Sequence, residues 1–348
     1  MKNFKAEIVF VLFSLLLLML SASGCSCSEN IPLSGFDEGS STSRDRSSSS
    51  ADVPGSNGSS SNHASNGLLT AGSVDDHLNF EHFKKFLQKT RSSTLGLPDF
   101  SPKQASPRFS KPGSVSSQLD LAFVIDTTGS MSDELNYITS ELSYIVEQVR
   151  QRFPKLALRY ALVVYRDDGD AYVSKEYNFT NLLLDFRKEM SIQRADGGGD
   201  HPEAVHKGLE RASQLSWQNN ATRVAFWIAD APPHDRHMKE TMTLFQTLQK
   251  MNVRLYPIAA SGAQEKAEYI MRAGAFLTGG QYLFLTDDSG IGNSHAEPNV
   301  LCYHVEKLKD VMIRMIQSEV SSQRLQPKPD QIIRTVGSVK DGKCMPQK

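Results

Sequence analysis

The sequence predicts an α/β fold in which a mainly parallel sheet is covered by helices on both faces. Between about Leu119 and Val320, apolar runs of strand length alternate with stretches of helical periodicity. This alternation is typical of strand–helix–strand units and a parallel sheet. A region of this size can bury a complete core by itself. We therefore expect a single domain over residues 118–322.

The first half of this region begins with a buried strand and a long helix. Residues 121–125 are continuously apolar, as expected for a strand covered on both faces. Ser132 is predicted to be the N-cap of the following helix. One apolar stripe at helical spacing runs along that helix, through Leu135, Ile138, Leu142, Ile145, Val146 and Val149. Residues 158–165 and 172–179 are predicted strands, the second with the alternating polarity of a sheet edge.

The second half continues the same alternation. Its predicted elements are a helix beginning near Pro202, a strand at 224–229, a helix at about 236–250, a strand at 253–259, a helix at about 263–276, a strand at 282–285 and a last helix at about 301–320. In open parallel sheets, ligands bind beyond the carboxyl ends of the strands. The loops after Ile125, before Pro202 and after Ala229 are therefore where we expect the function.

The first of these loops offers ligands for a hard cation. Asp126, Thr128 and Ser130 are spaced two residues apart, so in an extended loop their side chains project to the same side. One carboxylate and two hydroxyls, with no sulfur nearby, suit Mg²⁺, Mn²⁺ or Ca²⁺ rather than zinc. Three protein oxygens leave positions for water and for an incoming ligand.

The motif Asp126-Thr127-Thr128-Gly129-Ser130, directly after a buried strand, resembles the metal-ion-dependent adhesion site of the von Willebrand factor type A (vWA) domain family. The resemblance extends over about residues 118–322 and implies a single Rossmann-like domain. It implies that Asp230 holds the metal through water. The alternative for Asp230 is that it caps the following helix.

The second loop is similar to the Asp-x-Pro-Glu variant found in integrin β subunits, with Asp200, Pro202 and Glu203 in the matching positions. By that resemblance Glu203 is a ligand of the adhesion-site metal, and Asp200 helps to bind a neighbouring one. A capping box, with Asp200 as the N-cap and Glu203 at the third helical position, is an alternative compatible with the first. A Glu203 ligand would tighten metal retention and weaken the attraction for an acidic partner.

The resemblance implies a protein-binding module whose metal completes its coordination with an Asp or Glu of a partner protein, and not an enzyme. The alternatives are a constitutive envelope assembly or scaffolding subunit, and a metallohydrolase suggested by His201, His206 and His234. The sequence contains no His-Glu-x-x-His and no Gly-x-Ser-x-Gly motif. Residues 166–170, although acidic, lack the glutamate of a calcium loop and are interpreted as a solvated turn. A net charge of −1 gives no reason to expect nucleic acid.

The N-terminal residues 1–24 are predicted to be a secretory leader, with Lys2 and Lys5 ahead of an apolar stretch. The following Ala22-Ser23-Gly24-Cys25 resembles the bacterial lipobox, which implies acylation of Cys25 and a lipid-anchored (palmitoylated) lipoprotein of the cell envelope. The membrane would be the outer membrane if the host is Gram-negative. The alternative is an ordinary cleaved leader with an incidental cysteine.

Residues 25–75 are rich in Ser, Gly and Asn and are predicted to be a disordered tether. Residues 76–117 are predicted to contain a short amphipathic helix, which docks on the domain or binds a partner, and a proline-containing linker. Residues 323–348 are predicted to be a C-terminal tail. In an exported protein, Cys302 and Cys344 could form a disulfide that pins this tail against the last helix. Cys27 has no obvious partner.

Overall fold

The computed structural model describes residues 68–93, 115–291 and 294–346. The predicted leader, the lipidation site Cys25 and most of the predicted tether lie outside the described residues. In the described part of the chain, no helix combines the length and the apolar character needed to cross a membrane.

The strands and helices alternate through most of the described chain. The strands are β1 (Thr70–Val74), β2 (Gln118–Asp126), β3 (Ala157–Tyr165), β4 (Ser174–Thr180), β5 (Thr222–Ala229), β6 (Val253–Ala259), β7 (Tyr282–Thr286), β8 (Tyr303–Lys307), β9 (Arg334–Val336), β10 (Val339–Lys340) and β11 (Lys343–Cys344). The helices are α1 (Phe80–Ser93), α2 (Ser132–Arg152), α3 (Leu183–Ser191), α4 (Val205–Gln214), α5 (Met238–Lys250), α6 (Glu265–Thr278) and α7 (Leu308–Ser321).

The main sheet has the strand order β4-β3-β2-β5-β6-β7-β1-β8-β9. Its centre, from β3 to β7, is parallel, whereas β4, β1, β8 and β9 pair antiparallel with their neighbours. The predicted α/β class, with a mainly parallel central sheet between helices, is confirmed. β10 and β11 form a separate small hairpin.

The core consists of two layers, one on each face of the sheet. Successive side chains of a strand point to opposite faces, and along β2 Val124 lies in one layer while Phe123 lies in the other. Helices α1, α4, α5 and α6 cover the first layer, and α2, α3 and α7 cover the second. β2 is therefore buried from both sides, which explains its continuous apolar run.

The register of the central strands brings their carboxyl ends to one edge. Ile125 of β2 pairs with Ile228 of β5, and Asp126 pairs with Tyr165 at the end of β3. Consequently, the loops that follow β2 and β5 leave the sheet side by side. This edge is the one at which the sequence analysis placed the function.

The folded region extends beyond the predicted boundaries 118–322. β1, which the sequence analysis included in the tether, lies inside the sheet between β7 and β8. Its residues are mostly small, and Gly72 packs so closely that an added Cβ would lie 2.3 Å from the ring of Phe284. A run without large apolar residues gave no strand signal, although the strand is buried.

The predicted C-terminal tail also contributes to the sheet, because β9 pairs with β8. Cys302 and Cys344 form a disulfide, with their Cα atoms 5.3 Å apart. The bridge connects the small hairpin to the residue just before β8, and not to the last helix as predicted. The last helix begins only at Leu308, since residues 303–307 form β8.

Two further local predictions differ from the structure. Ser132 is not an N-cap: it is the first residue of α2, Met131 occupies the cap position, and no side chain caps the helix. Helix α3 was not predicted. Only Phe186 and Met190 of α3 are buried, and Leu184 is 79% exposed, so the helix lacks a continuous apolar stripe.

Helix α1 packs its apolar face on α6. The ring centroids of Phe83 and Phe276 lie 5.1 Å apart. The guanidinium of Arg272 in α6 is buried and donates to both carboxylate oxygens of Asp76, at 2.9 and 2.7 Å. Of the two predicted alternatives for this segment, the structure shows the docked helix.

Candidate metal centre

The three oxygen-bearing residues after β2 lie together. The Asp126 side chain is fully buried, and its Oδ1 accepts hydrogen bonds from the backbone N–H and the hydroxyl of Thr128, at 2.9 and 2.7 Å. The hydroxyl oxygens of Thr128 and Ser130 are 3.2 Å apart. Thr128 is extended and residues 129–131 form a 3₁₀ turn, so the loop places all three groups at the end of β2.

The loop that carries Glu203 is hydrogen-bonded to the loop after β5, which carries Asp230. Glu203 and Pro233 form an isolated parallel bridge, and the Glu203 N–H donates to Pro232 O at 3.0 Å. Both Glu203 and Asp230 are 3% exposed. The backbone of the second loop is thereby fixed to the loop that carries Asp230.

Gly198 shows how close the second loop comes to the first. A Cβ added to Gly198 would lie 3.0 Å from Oε1 of Glu203 and 3.2 Å from Cβ of Thr128. The carboxylate of Glu203 and the side chain of Thr128 therefore both lie close to the backbone of Gly198. The structure brings together Asp126, Thr128, Ser130, Glu203 and Asp230, all of which the sequence analysis named.

Each of the three buried carboxylates has an oxygen without a hydrogen-bond partner among the described residues. These atoms are Oδ2 of Asp126, Oε2 of Glu203 and Oδ1 of Asp230. No Lys or Arg of the described residues forms an ion pair with any of the three. Buried carboxylates without a counter-charge are strongly unfavourable. The donor set therefore fits a cation that takes oxygen ligands.

The charges of the site act on one another. Burial raises the pKa of Asp126 to about 7, and the charge of Asp230 adds to the rise. Burial raises the pKa of Glu203 to about 9, with the charge of Asp126 as the next cause. Burial also raises the pKa of Asp230, and the nearby hydroxyl of Ser130 opposes that rise. A bound divalent cation would reverse these shifts, because it favours the ionised forms.

Two other sets of side chains in the described chain have ligand atoms that all lie within 4.8 Å of one another. The carboxylates of Asp126, Glu203 and Asp230 are not packed that closely. A cation that contacts the hydroxyls of Thr128 and Ser130 would accordingly reach part of the carboxylate set through water. That agrees with the role that the family resemblance implies for Asp230.

The loop of three glycines at residues 197–199, called the glycine loop below, is held in place by Asp170. The role of Asp170 was not predicted from the sequence. Oδ2 of Asp170 accepts hydrogen bonds from the N–H groups of Gly198 and Asp167, at 2.9 and 3.0 Å. Gly197 and Gly198 have φ angles of +77° and +74°, a conformation that glycine adopts without strain. Gly197 O accepts from the Gly129 N–H at 3.0 Å, so the loop is also tied to the first motif.

The prediction of a solvated turn at residues 166–170 is correct for Asp168 and Gly169, which form an exposed turn, but wrong for the two residues before them. Arg166 and Asp167 are 6% and 7% exposed, and Arg166 donates from Nη2 to Arg194 O at 2.8 Å. The run of three glycines was the sequence signal for an unusual backbone conformation that needs a hydrogen-bonding partner elsewhere in the chain. It did not show that the partner would be Asp170, since the hydrogen bond joins residues 28 positions apart.

The capping-box interpretation of the second loop is also wrong. α4 begins at Val205, Ala204 occupies its cap position, and no side chain caps it. Asp200 is exposed and belongs to a different group, in which ligand atoms of Asp167, Asp200 and His234 lie within 4.8 Å of one another. Nε2 of His234 is 2.8 Å from Oδ1 of Asp167. Asp200 therefore groups with Asp167 and His234, and the structure does not show it among the ligand-type residues around Asp126.

The family model for the von Willebrand factor A domain matches residues 120–276. The expected resemblance of this region to the vWA domain family is confirmed. Domains of this family mediate protein–protein interactions and commonly bind a divalent metal. The expected vWA fold is confirmed.

Among the relatives, the chain is 32% identical over 117 residues to the alpha-protein kinase vwkA of Dictyostelium discoideum, a match that covers 33% of this chain and 19% of the kinase. It is 41% identical over 93 residues to von Willebrand factor A domain-containing protein 7 of Rattus norvegicus, covering 26% and 10% of the two chains. The chain thus spans less than a fifth of the length of either relative. The solved structure of conserved hypothetical protein BatB from Bacteroides thetaiotaomicron has a TM-score of 0.42 and 8% identity, covering 58% of this chain and 98% of that one.

Proposed function

We propose that this protein is a metal-dependent binding module of the adhesion type. Asp126, Thr128 and Ser130 would hold Mg²⁺ (or Mn²⁺ or Ca²⁺), together with Glu203 and, through water, Asp230. The observation that carries this proposal is the set of three buried carboxylates at the edge where three loops meet. Each has an oxygen without a partner in the part of the chain that the structure describes. When bound, the cation offers a coordination position to a carboxylate of a partner protein.

Two kinds of residue form the proposed site: those that supply negative charge to the cation and those that position the loops. Asp126 and Glu203 supply negative charge in a buried position, where attraction to a cation is little screened. Thr128 orients Asp126 through two hydrogen bonds from the same residue. Asp170 keeps the glycine loop over Glu203 without contributing to the ligand set named above. A partner that brings one Asp or Glu would complete this arrangement.

The anchoring and the cellular location form a separate part of the proposal. Acylation of Cys25 would attach the chain to the membrane of a bacterial envelope, on the outer membrane if the host is Gram-negative. The leader and the lipobox-like residues 22–25 support it. Labelling of cells with a palmitate analogue, followed by comparison of the wild-type chain with a Cys25→Ser variant, tests this part alone.

Calorimetric titration of the purified full chain with Mg²⁺ tests the cation site. We expect one divalent ion to bind, and Asp126→Ala to abolish the signal. Asp168→Ala is a matched control, because Asp168 is an exposed carboxylate on a neighbouring loop that pairs with Arg236. Absence of binding by the wild-type chain, or equal binding by the Asp126→Ala variant, would overturn the site.

Crosslinking capture from intact cells tests the binding role. We expect partner capture in Mg²⁺ and its loss in chelator or in the Asp126→Ala variant. Capture that survives both treatments would instead favour the constitutive scaffolding subunit. Hydrolysis of phosphate, ester or peptide substrates that is lost in the same variant would favour the metallohydrolase.

A further inference from the structure

A second group of ligand-type side chains lies where α4 and α5 meet. His206 is in the first turn of α4, His237 immediately precedes α5, and Glu240 is in the first turn of α5. One ligand atom from each of the three lies within 4.8 Å of the others. The loops that carry Glu203 and Asp230 lead into these same two helices, so the group lies towards the same edge of the sheet.

His206 is buried in a way that ordinary packing does not explain. It is 1% exposed, and its Nδ1 has no hydrogen-bond partner among the described residues. Buried polar atoms in folded proteins nearly always have a partner. Burial, followed by the neighbouring His237, lowers the pKa of His206 to about 4. The ring is therefore neutral at physiological pH, which is the form that binds metal ions.

The two imidazole rings lie face to face. Their centroids are 3.7 Å apart, and the angle between their planes is 10°. In a tetrahedral site with bonds of about 2.1 Å, ligand atoms lie roughly 3.4 Å apart. Because stacked rings direct their nitrogen lone pairs along parallel planes, a shared ion requires at least one ring to tilt. His237 is the less buried of the two, so its ring would turn towards an ion that also contacts His206 and Glu240.

Glu240 already holds His237. Nδ1 of His237 is 2.9 Å from Oε2 of Glu240, and Nε2 of His237 accepts a hydrogen bond from Nε of Arg236 at 3.0 Å. If an ion binds at Nδ1, the proton of that nitrogen passes to Nε2, and the guanidinium of Arg236 must turn away. Arg236 is exposed and pairs with Asp168 at 2.8 Å, so it has another partner.

We propose that His206, His237 and Glu240 bind a borderline divalent ion of the Zn²⁺ class, at a site separate from the oxygen-lined site of Asp126. Two imidazoles and one carboxylate are ligands that Zn²⁺ accepts and Mg²⁺ does not prefer. Three protein ligands leave a fourth position for water or for a group from a partner. The proposal stands independently of the function proposed for the Asp126 site.

The test is a titration of the full chain with Zn²⁺, in competition with a chromogenic chelator and in saturating Mg²⁺, so that the oxygen site does not contribute. We expect one Zn²⁺ per chain. The substitutions His237→Gln and Glu240→Gln, at partly or fully exposed positions, should each weaken binding by at least about tenfold. His206→Gln is not used, because a buried position can affect folding. Arg236→Gln should tighten binding, since it removes a competing positive charge.

Two control variants separate this site from the others. Zn²⁺ affinity should be unchanged by Asp126→Ala, and also by His304→Gln, which alters a histidine on β8. Co²⁺ in place of Zn²⁺ should give the visible bands of a tetrahedral site, lost in His237→Gln. The proposal is overturned if no Zn²⁺ binds in excess Mg²⁺, or if binding is lost in Asp200→Asn but retained in Glu240→Gln. The latter result would place the ion with Asp167 and His234.

Discussion

The hydroxyl of Thr128 donates a hydrogen bond of 2.7 Å to Oδ1 of Asp126, while Oδ2 of the same buried carboxylate has no partner of hydrogen-bonding geometry among the described residues. One oxygen is thus fixed by the loop that follows β2, and the other is left for a ligand. A carboxylate in this state destabilises the chain without metal and supplies binding energy once a cation is present.

The first prediction concerns Asp126→Asn. In chelator we expect this variant to unfold at a higher temperature than the wild-type chain, because it removes a buried charge that lies next to Asp230. In excess Mg²⁺ the order should reverse, since only the wild-type chain gains stability from the ion. A difference of 1 kcal/mol corresponds to roughly 2–4 °C for a domain of this size.

Thermal unfolding followed by circular dichroism, first in chelator and then at Mg²⁺ concentrations that rise in 10-fold steps, checks this reversal. Asp168→Asn serves as the control, because its carboxylate is exposed and pairs with Arg236. The interpretation fails if Mg²⁺ stabilises Asp126→Asn as much as the wild-type chain.

The second prediction concerns Glu203→Gln. Without metal, burial and the neighbouring carboxylates raise the pKa of Glu203 to about 9, so the group carries a proton at neutral pH. Binding of a cation must displace that proton. We therefore expect Mg²⁺ affinity of the wild-type chain to increase from pH 7 towards pH 9. In Glu203→Gln the affinity should be lower, and its rise with pH should be shallower.

Calorimetry in buffers of different ionisation enthalpy measures the proton release directly. The variant Asp200→Asn is the matched comparison, since Asp200 is an exposed carboxylate of the same loop. Unchanged Mg²⁺ affinity in Glu203→Gln would remove Glu203 from the ligand set and leave Asp126 and Asp230 as the charged residues.

The central part of this site could be predicted from the sequence because its residues follow directly after strands. Parallel strands end at one edge, and the register of Ile125 with Ile228 makes Asp126 and Asp230 neighbours. The contact between Asp170 and Gly198 could not be predicted in this way. It depends on a positive φ and on a hydrogen bond between distant loops, neither of which leaves a periodic pattern.

The same limit applies to the sheet. β2 was recognised because both of its faces are buried and all its central residues are apolar. β1 is equally enclosed, but it consists of small residues around Gly72, whose place is fixed by the ring of Phe284. Hydrophobic periodicity detects strands with large apolar side chains. The small residues of β1 give no such pattern, and their small size is what lets neighbouring rings pack against the strand.

The third prediction concerns Gly198→Ala. An alanine at φ +74° is strained by about 1–2 kcal/mol, and its Cβ would lie 3.0 Å from Oε1 of Glu203. We expect a less stable protein with weaker Mg²⁺ binding, because the loop must move away from Glu203 and Thr128. Chemical denaturation and Mg²⁺ titration of the same sample measure the two effects.

Gly199→Ala provides the control for this substitution. A Cβ at Gly199 would meet no atom within 4 Å, and its φ is not positive. Stability and Mg²⁺ affinity should stay close to those of the wild-type chain. Equal losses in both variants would mean that the loop needs flexibility in general and not the particular backbone geometry of Gly198.

The fourth prediction concerns Glu141 of α2, which lies away from the metal ligands. Its Oε1 accepts a hydrogen bond of 2.7 Å from the Leu69 N–H, and Oε2 is buried with no partner in residues 68–93, 115–291 and 294–346. Burial raises the pKa of Glu141 to about 7, and the bond from Leu69 opposes the rise. Because the folded state holds the proton more tightly than the unfolded state, stability falls as the pH rises from about 4.5 to 7.

Glu141→Gln removes this titration while keeping an acceptor for Leu69. Relative to the wild-type chain, the free energy of unfolding of the variant should increase between pH 4.5 and 8, by on the order of 1–3 kcal/mol. Denaturation at several pH values in saturating Mg²⁺ isolates the effect from the Asp126 site. A difference between the two proteins that does not change with pH would show that the Glu141 carboxyl keeps the same charge in the folded and unfolded states.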